Sequence, residues 1–510
     1  MTLLHDICYQ AVRKHGQRIA FDSLDHQVTF DQLWDRITNV AGALSNLGIK
    51  KGDRVGILSN NCPDYMVYHY ATAKVGAILL VLNTRHTTDE LLWALNDAEA
   101  SILVIGEDFE PILDELKNGC STLNFTIGIG SIPGVDYSTD GLAELQQPMN
   151  EEPVLSEQDP VLLIYTSGTT GRPKGALQTH AGSMMIDQLT ADILETCPDD
   201  VYLAFMPYFH QAGLIRARAT LLNGGVNLVV GKMNSETLAS YIEQKNVSIT
   251  MLVPPFDTDL MEIADRDMLT LPSLRFIIGF GGGGPAHARQ MQVFCQRFNC
   301  RYMGVYGQTE VTGTATIITD DDYFTKRPYS CGKAMQGIDL EIWDEKKEPV
   351  PNGTVGEIMI RSRSCITAYW KNEEASRSLY TGDWLHTGDL ARLDDDGFVY
   401  FMDRKKELIK TGGENVYPRE VENALQSHSA IDQLVIIGLP DPGGWGEKVT
   451  AVVIPKAGQT LSLEEVKAHC RGKIGGYKIP KSLLITDQFP RNHTGKILKR
   501  VLKDRLKNEG

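Results

Sequence analysis

Over the first hundred positions, the pattern of hydrophobic and polar residues switches repeatedly between one typical of a strand and one typical of a helix. Apolar runs at 54–61, 77–83 and 101–106 predict buried strands, and the segments between them carry helical patterns. Residues 29–48 predict an amphipathic helix, because apolar side chains recur there every three or four positions. Those side chains are Leu33, Ile37, Val40, Leu44 and Leu47. Strands that alternate with amphipathic helices indicate βαβ units and a parallel sheet.

A second series of strands and helices begins near 161–168, so two α/β lobes are predicted within 1–329. The pattern changes to short alternating strands with turns over 330–403, which predicts a small β subdomain. Residues 404–510 then predict a compact module that mixes helices and strands. We therefore expect an α/β protein with a large N-terminal domain, 1–403, followed by a small α+β C-terminal domain.

Composition is that of an ordinary globular protein. Of the 510 residues, 42% are hydrophobic and 23% charged, which excludes disordered and low-complexity classes. The longest uninterrupted apolar run, 75–82, is far shorter than the ~18 residues that a membrane-spanning helix needs. No signal-peptide pattern is visible, and nine scattered cysteines without paired spacing predict free thiols. We expect a cytoplasmic protein with no integral membrane segment.

The charge is distributed unevenly along the chain. The formal net charge is −15, which argues against a nucleic-acid partner. Residues 404–510 nevertheless carry 19 Lys and Arg against 12 Asp and Glu, a net +7, so the preceding 403 residues carry −22. The basic C-terminal module could serve to bind an anion from solution. The alternative is that its positive charge attracts it to the acidic remainder of the protein. Charge alone leaves both alternatives open.

The strongest local motif is YTSGTTGRPKGA at 165–176, directly after an apolar strand. A run of Ser, Thr and Gly frees backbone N–H groups and hydroxyls to wrap phosphate oxygens, and Lys174 adds a positive charge. The motif is not a Walker A loop, because GxxxxGK[ST] does not occur in the chain. We interpret it as a site for a polyphosphate.

Two further motifs follow predicted strands. GFGGGGP at 279–285 matches GxGxxG formally, but the next strand ends in YGQTE rather than in the acidic residue of a dinucleotide fold. Glycines at a strand end let a flat ring approach the backbone, so an adenine or an acyl group fits better than NAD or FAD. Within YGQTE, at 306–310, Glu310 is a candidate Mg²⁺ ligand and Thr309 a candidate phosphate donor.

The second half of the chain holds weaker candidates. In TGD, Asp389 offers two oxygens to a ribose diol, and Arg404 begins a basic stretch that leads to TGGEN at 411–415. Lys496, in NHTGKI, lies near the start of the last predicted helix. Each of these residues taken alone is typical of an ordinary surface position.

Taken together and in this order, the motifs resemble those of the adenylate-forming superfamily, which contains acyl-CoA synthetases, peptide-synthetase adenylation domains and firefly-type luciferases. The resemblance covers essentially the whole chain. It rests on TSGTTGRPKG, YFHQAG (208–213), YGQTE, GEI…YW (356–370), TGD, DRKKELIKTGGENVYPREVE (403–422) and NHTGKI.

The resemblance implies roles for individual residues. The phosphates of ATP are held by Thr166, Ser167, Gly168, Thr169, Thr170, Gly171 and Lys174. The rest of the nucleotide is held by Gly282, Gly283, Tyr306, Gly307, Gln308, Thr309, Asp389 and Arg404, with Gly412 and Gly413 entering for the second half-reaction. Mg²⁺ is assigned to Glu310 and Thr166, catalysis to Lys496, Lys410, His210 and Glu310, and the hinge to Lys406.

The resemblance also implies an activity. A carboxylic acid and ATP give acyl-AMP and pyrophosphate, with Lys496 bridging the two anions. The thiol of coenzyme A then gives acyl-CoA and AMP, after the mobile C-terminal domain has rotated. ATP, Mg²⁺ and coenzyme A are the implied cofactors, and the basic module then serves phosphate-rich substrates. Alternatives are an acyl-AMP ligase that feeds a carrier protein, a luciferase-type oxygenase, and a non-catalytic nucleotide-binding regulator.

His210 bears on the choice among carboxylic acids. In the related adenylation domains for amino acids, an aspartate follows the aromatic residue of this motif and pairs with the ammonium group of the substrate. This chain has His210 at that position, and an amino group without the aspartate would be costly to bury. We expect a medium-chain fatty or aryl acid rather than acetate, because the four glycines leave room beside the sheet. The residues expected to line the pocket are Phe209, Phe256, Gly281, Gly284, Met303, Gly304 and Gly313. The oligomeric state is open, with a homodimer among the alternatives.

Overall fold

Nine stretches of the chain are described by a computed structural model. They are residues 2–144, 148–149, 151–166, 173–231, 233–253, 256–411, 414–441, 446–491 and 497–508. The chain folds into two units. One contains Met1–Leu340 with Ile360–Leu385, and the other contains Glu341–Met359 with His386–Gly510. The second unit therefore includes part of the predicted β subdomain, and the expected domain boundary between 403 and 404 stays a prediction.

The first unit alternates helices and strands, as the pattern predicts. Its helices are α1 (Leu4–His15), α2 (Phe30–Asn46), α3 (Pro63–Val75), α4 (Thr88–Ala98), α5 (Leu113–Gly119), α6 (Thr139–Glu144), α7 (His180–Ile193), α8 (Gln211–Leu222), α9 (Ser235–Gln244), α10 (Phe256–Asp267), α11 (Gly284–Phe298) and α12 (Glu373–Ser378). Its strands up to residue 334 are β1 (Ile19–Asp22), β2 (Gln27–Thr29), β3 (Arg54–Leu58), β4 (Ile78–Val81), β5 (Ile102–Gly106), β6 (Phe125–Ile129), β7 (Tyr137–Ser138), β8 (Pro160–Thr166), β9 (Lys174–Thr179), β10 (Val201–Ala204), β11 (Val226–Val229), β12 (Ile249–Met251), β13 (Phe276–Phe280), β14 (Arg301–Gln308), β15 (Gly313–Thr319) and β16 (Lys333–Ala334).

Local sequence explains where these helices begin. At α2 the side chain of Thr29 accepts a hydrogen bond from the backbone N–H of Gln32, and the Gln32 side chain accepts one from the N–H of Thr29. Thr87 and Glu90 form the same reciprocal cap at α4. Such a capping box satisfies N–H groups that the first turn leaves without partners.

Two large sheets organise the first unit. The first has the order β7-β6-β5-β3-β4-β8-β9, parallel except for the edge strand β9. The second has the order β16-β15-β14-β13-β12-β10-β11-β1-β2, with parallel central strands and antiparallel strands at both ends. One hydrophobic core combines side chains of both sheets with α1, α2, α3 and α8. The predicted pair of α/β lobes is confirmed.

A five-stranded sheet follows and leads into the second unit. Its strands are β17 (Asp339–Trp343), β18 (Gly356–Arg361), β19 (Tyr380–Thr381), β20 (Trp384–Leu393) and β21 (Val399–Arg404). Their order is β17-β18-β20-β19, with β21 paired to β20. The turn-rich alternation over 330–403 thus forms short strands, as expected.

The last hundred residues form a small α+β fold. Its strands are β22 (Ile409–Thr411), β23 (Glu414–Val416), β24 (Ile431–Pro440), β25 (Glu447–Pro455) and β26 (Ser482–Ile485), and its helices are α13 (Pro418–Leu425), α14 (Leu463–Cys470) and α15 (Lys499–Asn508). Strands β24, β25 and β26 form one sheet, and β22 pairs with β23. Among the described helices of the whole chain, none is both long and apolar enough to span a membrane.

Candidate active site

The hairpin of β8 and β9 fixes both ends of the glycine-rich motif. Thr166 ends β8 and lies opposite Lys174, which begins β9. The Oγ1 of Thr166 donates to the carbonyl oxygen of Lys174 at 3.3 Å. Ser167, Gly168, Thr169, Thr170 and Gly171, which complete the predicted phosphate loop, lie outside the described residues. The structure therefore brings together the two flanks of the loop, and the phosphate contacts stay a prediction.

Tyr369 connects this hairpin to the YGQTE motif. Its hydroxyl donates to Oε1 of Glu310 at 2.9 Å, and Nζ of Lys174 lies 5.1 Å from the centre of its ring. Burial and the negative charge of Glu310 both raise the pKa of Tyr369, so the phenol stays protonated and keeps donating. Tyr369 was not among the predicted site residues, although the tyrosine of GEI…YW is the signal that could have identified it.

The donor set around Glu310 fits a magnesium ion that is shared with phosphates. Among the described residues, no group of three or more His, Cys, Asp or Glu side chains could hold a metal ion. Mg²⁺ retains waters and binds through one or two carboxylates plus substrate phosphates, so a single partly exposed carboxylate suffices. Glu310 is such a carboxylate. The assignment of Thr166 as a second ligand stays a prediction.

The YGQTE motif ends β14, where open α/β sheets bind their ligands. Tyr306, Gly307 and Gln308 are the last residues of that strand, and Thr309 begins the following turn. A Cβ on Gly307 would lie 1.6 Å from the carbonyl oxygen of Gly313 on the neighbouring strand β15, so only glycine fits there. The predicted nucleotide-binding segment therefore has a tightly packed backbone.

A chain of side-chain amides links this motif to α8. The carbonyl oxygen of Thr309 accepts a hydrogen bond from Nε2 of Gln178 at 3.0 Å. Oε1 of Gln178 in turn accepts one from Nε2 of Gln211, at 2.8 Å. Gln178 lies in β9, and Gln211 is the first residue of α8. The two buried glutamines thus hold the hairpin, the YGQTE turn and the His210 region in one arrangement.

Asn61 holds the loop that carries Phe209 and His210. Its Nδ2 donates to the carbonyl oxygens of Ala204 and Met206, both at 2.8 Å. Its Oδ1 accepts from the backbone N–H of Tyr208 at 2.7 Å. The rings of Phe209 and His210 lie side by side, with centroids 4.7 Å apart, at the start of α8. The sequence contains no motif around Asn61, and only the fold places it here.

Several glycines assigned to the acid pocket accommodate the protein's own atoms. A Cβ on Gly281 would lie 2.8 Å from Cα of Cys331, and one on Gly304 would lie 2.8 Å from Cγ2 of Ile318. A Cβ on Gly283, which the resemblance assigns to the nucleotide, would meet His287 and Tyr323, also at 2.8 Å. The space expected beside the four glycines is therefore filled at Gly281 and Gly283.

The remaining pocket residues lie at different depths. Met303 is buried in the hydrophobic core, and Phe256 packs edge-to-face on Phe205 with ring centroids 5.4 Å apart. Gly284 of the pocket set adopts a positive φ angle of 85°, and Gly282, which is assigned to the nucleotide, one of 76°; both angles favour glycine. The roles of both glycines stay predictions.

In the second unit, Asp389 and Arg404 are brought together. They pair across β20 and β21, and Oδ1 of the fully buried Asp389 lies 2.6 Å from Nε of Arg404. Their assignment to the nucleotide stays a prediction.

Glu357 supports the turn that carries Asp389. Its Oε1 accepts from the backbone N–H of Gly388 at 3.0 Å, and its Oε2 lies 2.9 Å from Nζ of Lys405 and 3.2 Å from Nδ1 of His386. Burial alone would raise the pKa of Glu357, but the hydrogen bond and charge of Lys405, followed by His386, hold it below its usual range. Sequence reasoning recognised GEI as part of the motif set without a role for this carboxylate.

The site residues predicted for the C-terminal domain after Arg404 are only partly described. Lys406 lies in a short 3-10 turn, and Lys410 lies exposed in β22, where its backbone N–H donates to Oε2 of Glu447 at 3.1 Å. Gly412, Gly413 and Lys496 lie outside the described residues. The roles of all five, including the hinge at Lys406, stay predictions.

Two family models match the chain. The model of AMP-binding enzymes matches residues 8–370, and the model of the C-terminal domain of AMP-binding enzymes matches residues 420–496. A 2-succinylbenzoate–CoA ligase of Bacillus cereus is 33% identical over 494 residues, which is 95% of each chain.

Solved structures agree with the sequence comparison. An anthranilate CoA ligase in complex with anthranoyl-AMP is 26% identical, with a TM-score of 0.85 over 99% of this chain and 97% of that one. The o-succinylbenzoate CoA synthetase of Bacillus subtilis, in complex with its acyl-adenylate intermediate, is 27% identical, with a TM-score of 0.83 over 98% of both chains. A fatty acyl CoA synthetase of Mycobacterium tuberculosis is 28% identical, with a TM-score of 0.78 over 99% of both chains.

Proposed function

The chain belongs to the family of AMP-binding enzymes and is an AMP-forming acid–thiol ligase, and we propose that it joins an aryl or medium-chain carboxylic acid to coenzyme A. The observation that carries this proposal is the contact of Tyr369 with both Lys174 and Glu310. It places the flank of the phosphate loop and the candidate magnesium ligand around one side chain.

The first half-reaction is the attack of a carboxylate oxygen on the α-phosphorus of ATP. The new bond gives acyl-AMP, and pyrophosphate leaves with the electrons of the broken P–O bond. Mg²⁺ supplies neutralisation of the phosphate charge when bound. Lys174 at the edge of the hairpin and Lys496 supply further positive charge where two anions meet, which is the arrangement that lowers such a barrier most. Tyr369 keeps the Glu310 carboxylate oriented towards this region.

The second half-reaction is the attack of the coenzyme A thiolate on the acyl carbon, which releases AMP. The stability of AMP as a leaving group makes this step feasible where direct displacement of a carboxylate oxygen is not. Lys410, Gly412 and Gly413 are proposed to approach the site for this step by rotation of the C-terminal domain about Lys406. The exposed position of Lys410 in β22 is compatible with that movement.

The choice of an aryl or medium-chain acid rests on relatives and on the site. Similar proteins are named for 2-succinylbenzoate, anthranilate and fatty acyl substrates. Phe209, next to His210, offers an aromatic wall, and no carboxylate follows it that would pair with the ammonium of an amino acid.

A pyrophosphate-release screen over a panel of carboxylic acids tests the proposal. The panel contains acetate, hexanoate, octanoate, benzoate, cinnamate, anthranilate and 2-succinylbenzoate, each with and without coenzyme A. We expect the highest kcat/KM with an aryl or medium-chain acid and formation of the CoA thioester. A preference for acetate would contradict the acid class, and acyl-AMP without thioester would indicate an acyl-AMP ligase that feeds a carrier protein.

Replacement of Lys496 tests the division into two half-reactions. In Lys496→Ala we expect ATP–pyrophosphate exchange to fall by about 100-fold or more, because a positioned cation at the reacting oxygens is lost. Preformed acyl-AMP should still react with coenzyme A. Lys481→Ala, which removes an exposed lysine of the same unit, is the control and should change neither rate. Normal exchange in Lys496→Ala would contradict the assignment.

A further inference from the structure

Helix α8 carries two buried arginines with opposite surroundings. Arg216 and Arg218 are 2% and 0% exposed, so both guanidinium groups are removed from water. A buried cation is tolerated when an anion and hydrogen bonds compensate for its lost hydration. The two side chains, two residues apart, differ in whether that compensation is present.

Arg218 is fully compensated. Its Nε and Nη2 donate to Oδ1 of Asp187 at 3.0 and 2.8 Å, and its Nη1 lies 3.2 Å from Nε2 of His69. The pair of Arg218 and Asp187 is therefore an internal ion pair between α8 and α7. Arg218 needs no partner from outside the protein.

Arg216 lacks such an anion. Its Nη2 donates to Oγ1 of Thr314 at 3.2 Å, and its buried Nε has no hydrogen-bond partner among the described residues. No described carboxylate forms an ion pair with it. The hydroxyl of Tyr202, which interacts electrostatically with Arg216, is also buried without a hydrogen-bond partner in the described part of the chain. Two buried donors, Nε of Arg216 and the hydroxyl of Tyr202, thus have no acceptor among the described residues.

Arg216 lies beside the proposed acid site. Thr314 pairs with Gly307 of the YGQTE motif across β14 and β15. Gly313, one residue earlier, was assigned to the acid pocket, and a Cβ there would lie 2.2 Å from Cδ1 of Ile215 on α8. The guanidinium therefore lies between the helix that begins after His210 and the strand next to the nucleotide motif.

We propose that Arg216 is a specificity-determining residue that binds a second carboxylate of the acid substrate. This inference rests on the proposed function. One carboxylate is activated by ATP, and the other accepts hydrogen bonds from Nε of Arg216 and from the hydroxyl of Tyr202. The substrate is then an aryl or medium-chain dicarboxylic acid, which supplies the anion that the protein itself does not.

The spacing along α8 sets the separation of the two carboxylates. Arg216 follows His210 by six residues, which is about 9 Å along a helix axis. A second carboxylate that reaches Arg216 while the first is activated near His210 must be several bonds away. Short diacids such as malonate should be poor substrates by this criterion.

Matched pairs of acids test the inference. The pairs are adipate with hexanoate, and 2-succinylbenzoate with 4-oxo-4-phenylbutanoate, each differing by one carboxylate. We expect the wild-type enzyme to prefer the dicarboxylate of at least one pair. Arg216→Met should lower kcat/KM for that dicarboxylate by about 100-fold or more, because a buried charge pair loses one member. The matching monocarboxylate should retain or gain activity in the variant.

Thermal melting supplies a readout that does not depend on turnover. Without ligand, Arg216→Met should melt at the same or a higher temperature than wild type, because a buried uncompensated charge is removed. Arg218→Met, the matched control on the same helix, should melt lower, because it leaves Asp187 buried without its cation. The preferred dicarboxylate should raise the melting temperature of wild type and not that of Arg216→Met. Thr314→Val, which removes one acceptor only, should retain the preference.

The outcomes separate this inference from the proposed function. Arg216 is structural, and the inference is wrong, if wild type has equal kcat/KM for the monocarboxylate and the dicarboxylate of each pair. The same holds if Arg216→Met leaves the ratio of the two kcat/KM values unchanged. The ligase function stands in both cases. If wild type forms no acyl-AMP with any acid of either panel, both are overturned.

Discussion

Replacement of Asn61 by alanine is expected to displace the loop that carries Phe209 and His210. The Asn61 side chain uses both amide hydrogens and its oxygen on the backbone of Ala204, Met206 and Tyr208. Alanine leaves two carbonyl groups and one N–H without these partners. The loop lies between the end of β10 and the start of α8, so its displacement moves the entrance to the proposed acid site.

The size of the effect follows from these three bonds. A typical intramolecular hydrogen bond contributes about 0.5–1.5 kcal/mol net, so Asn61→Ala should lower the free energy of unfolding by about 2–4 kcal/mol. Ala204 and Tyr208 are buried, so two of the three freed groups have little access to water and the loss lies near the upper limit. The KM for the acid should rise about tenfold, while the KM for ATP should change less, because the loop does not carry the phosphate motif.

Urea unfolding and pyrophosphate release measure the two effects. Asn60→Ala is the matched control, because the neighbouring Asn60 directs its amide to the side chain of Asp108 instead. That variant should change neither the KM for the acid nor the stability by more than about 0.5 kcal/mol. Equal effects of the two replacements, or an unchanged KM in Asn61→Ala, would show that Asn61 does not position the loop.

Three further replacements test other parts of the structure. Tyr369→Phe removes the hydroxyl that donates to Glu310. The Mg²⁺ concentration for half-maximal activity should rise about tenfold, because hydrogen bonds to charged groups contribute about 1.5–3 kcal/mol. An unchanged Mg²⁺ requirement would contradict this role of Tyr369. Glu357 has a lowered pKa, so its stabilisation is present above about pH 4.5 and lost below it. Glu357→Gln should therefore unfold more easily in urea at neutral pH and lose less stability than wild type upon acidification; equal losses would refute this. Burial lowers the pKa of His180 from 6.5 to about 4, so the unfolded chain binds a proton at this residue at a higher pH than the folded chain does. The free energy of unfolding of wild type should therefore fall by about 2 kcal/mol between about pH 7.5 and 5 because of this group. His180→Asn, which retains an acceptor for the backbone N–H of Leu4, should flatten that part of the pH profile, and an identical slope would rule the histidine out.

Local sequence patterns specify the order of the elements and the segments that carry chemistry. The helical spacing of 29–48 became α2, with its start specified by the reciprocal cap of Thr29 and Gln32. The apolar runs before the TSGTTG and YGQTE motifs became β8 and β14, because periodicity and capping act over a few residues and need no knowledge of the fold. The family relationship also followed from the motifs, since their order along the chain is a property of the sequence alone.

Which side chains face one another depends on packing between distant segments of the chain. Open space was expected beside Gly281, but a Cβ there would lie 2.8 Å from Cα of Cys331, which belongs to the segment before β16, fifty residues along the chain. Asn61 lies more than 140 residues before the loop that it holds, and no local pattern marks that partnership. Arg216 and Arg218 are equivalent in the sequence RAR, yet within the described part of the chain only Arg218 forms an ion pair with an aspartate. Long-range partners depend on strand register and helix packing, whose energies are summed over the whole core, so no short segment can specify them.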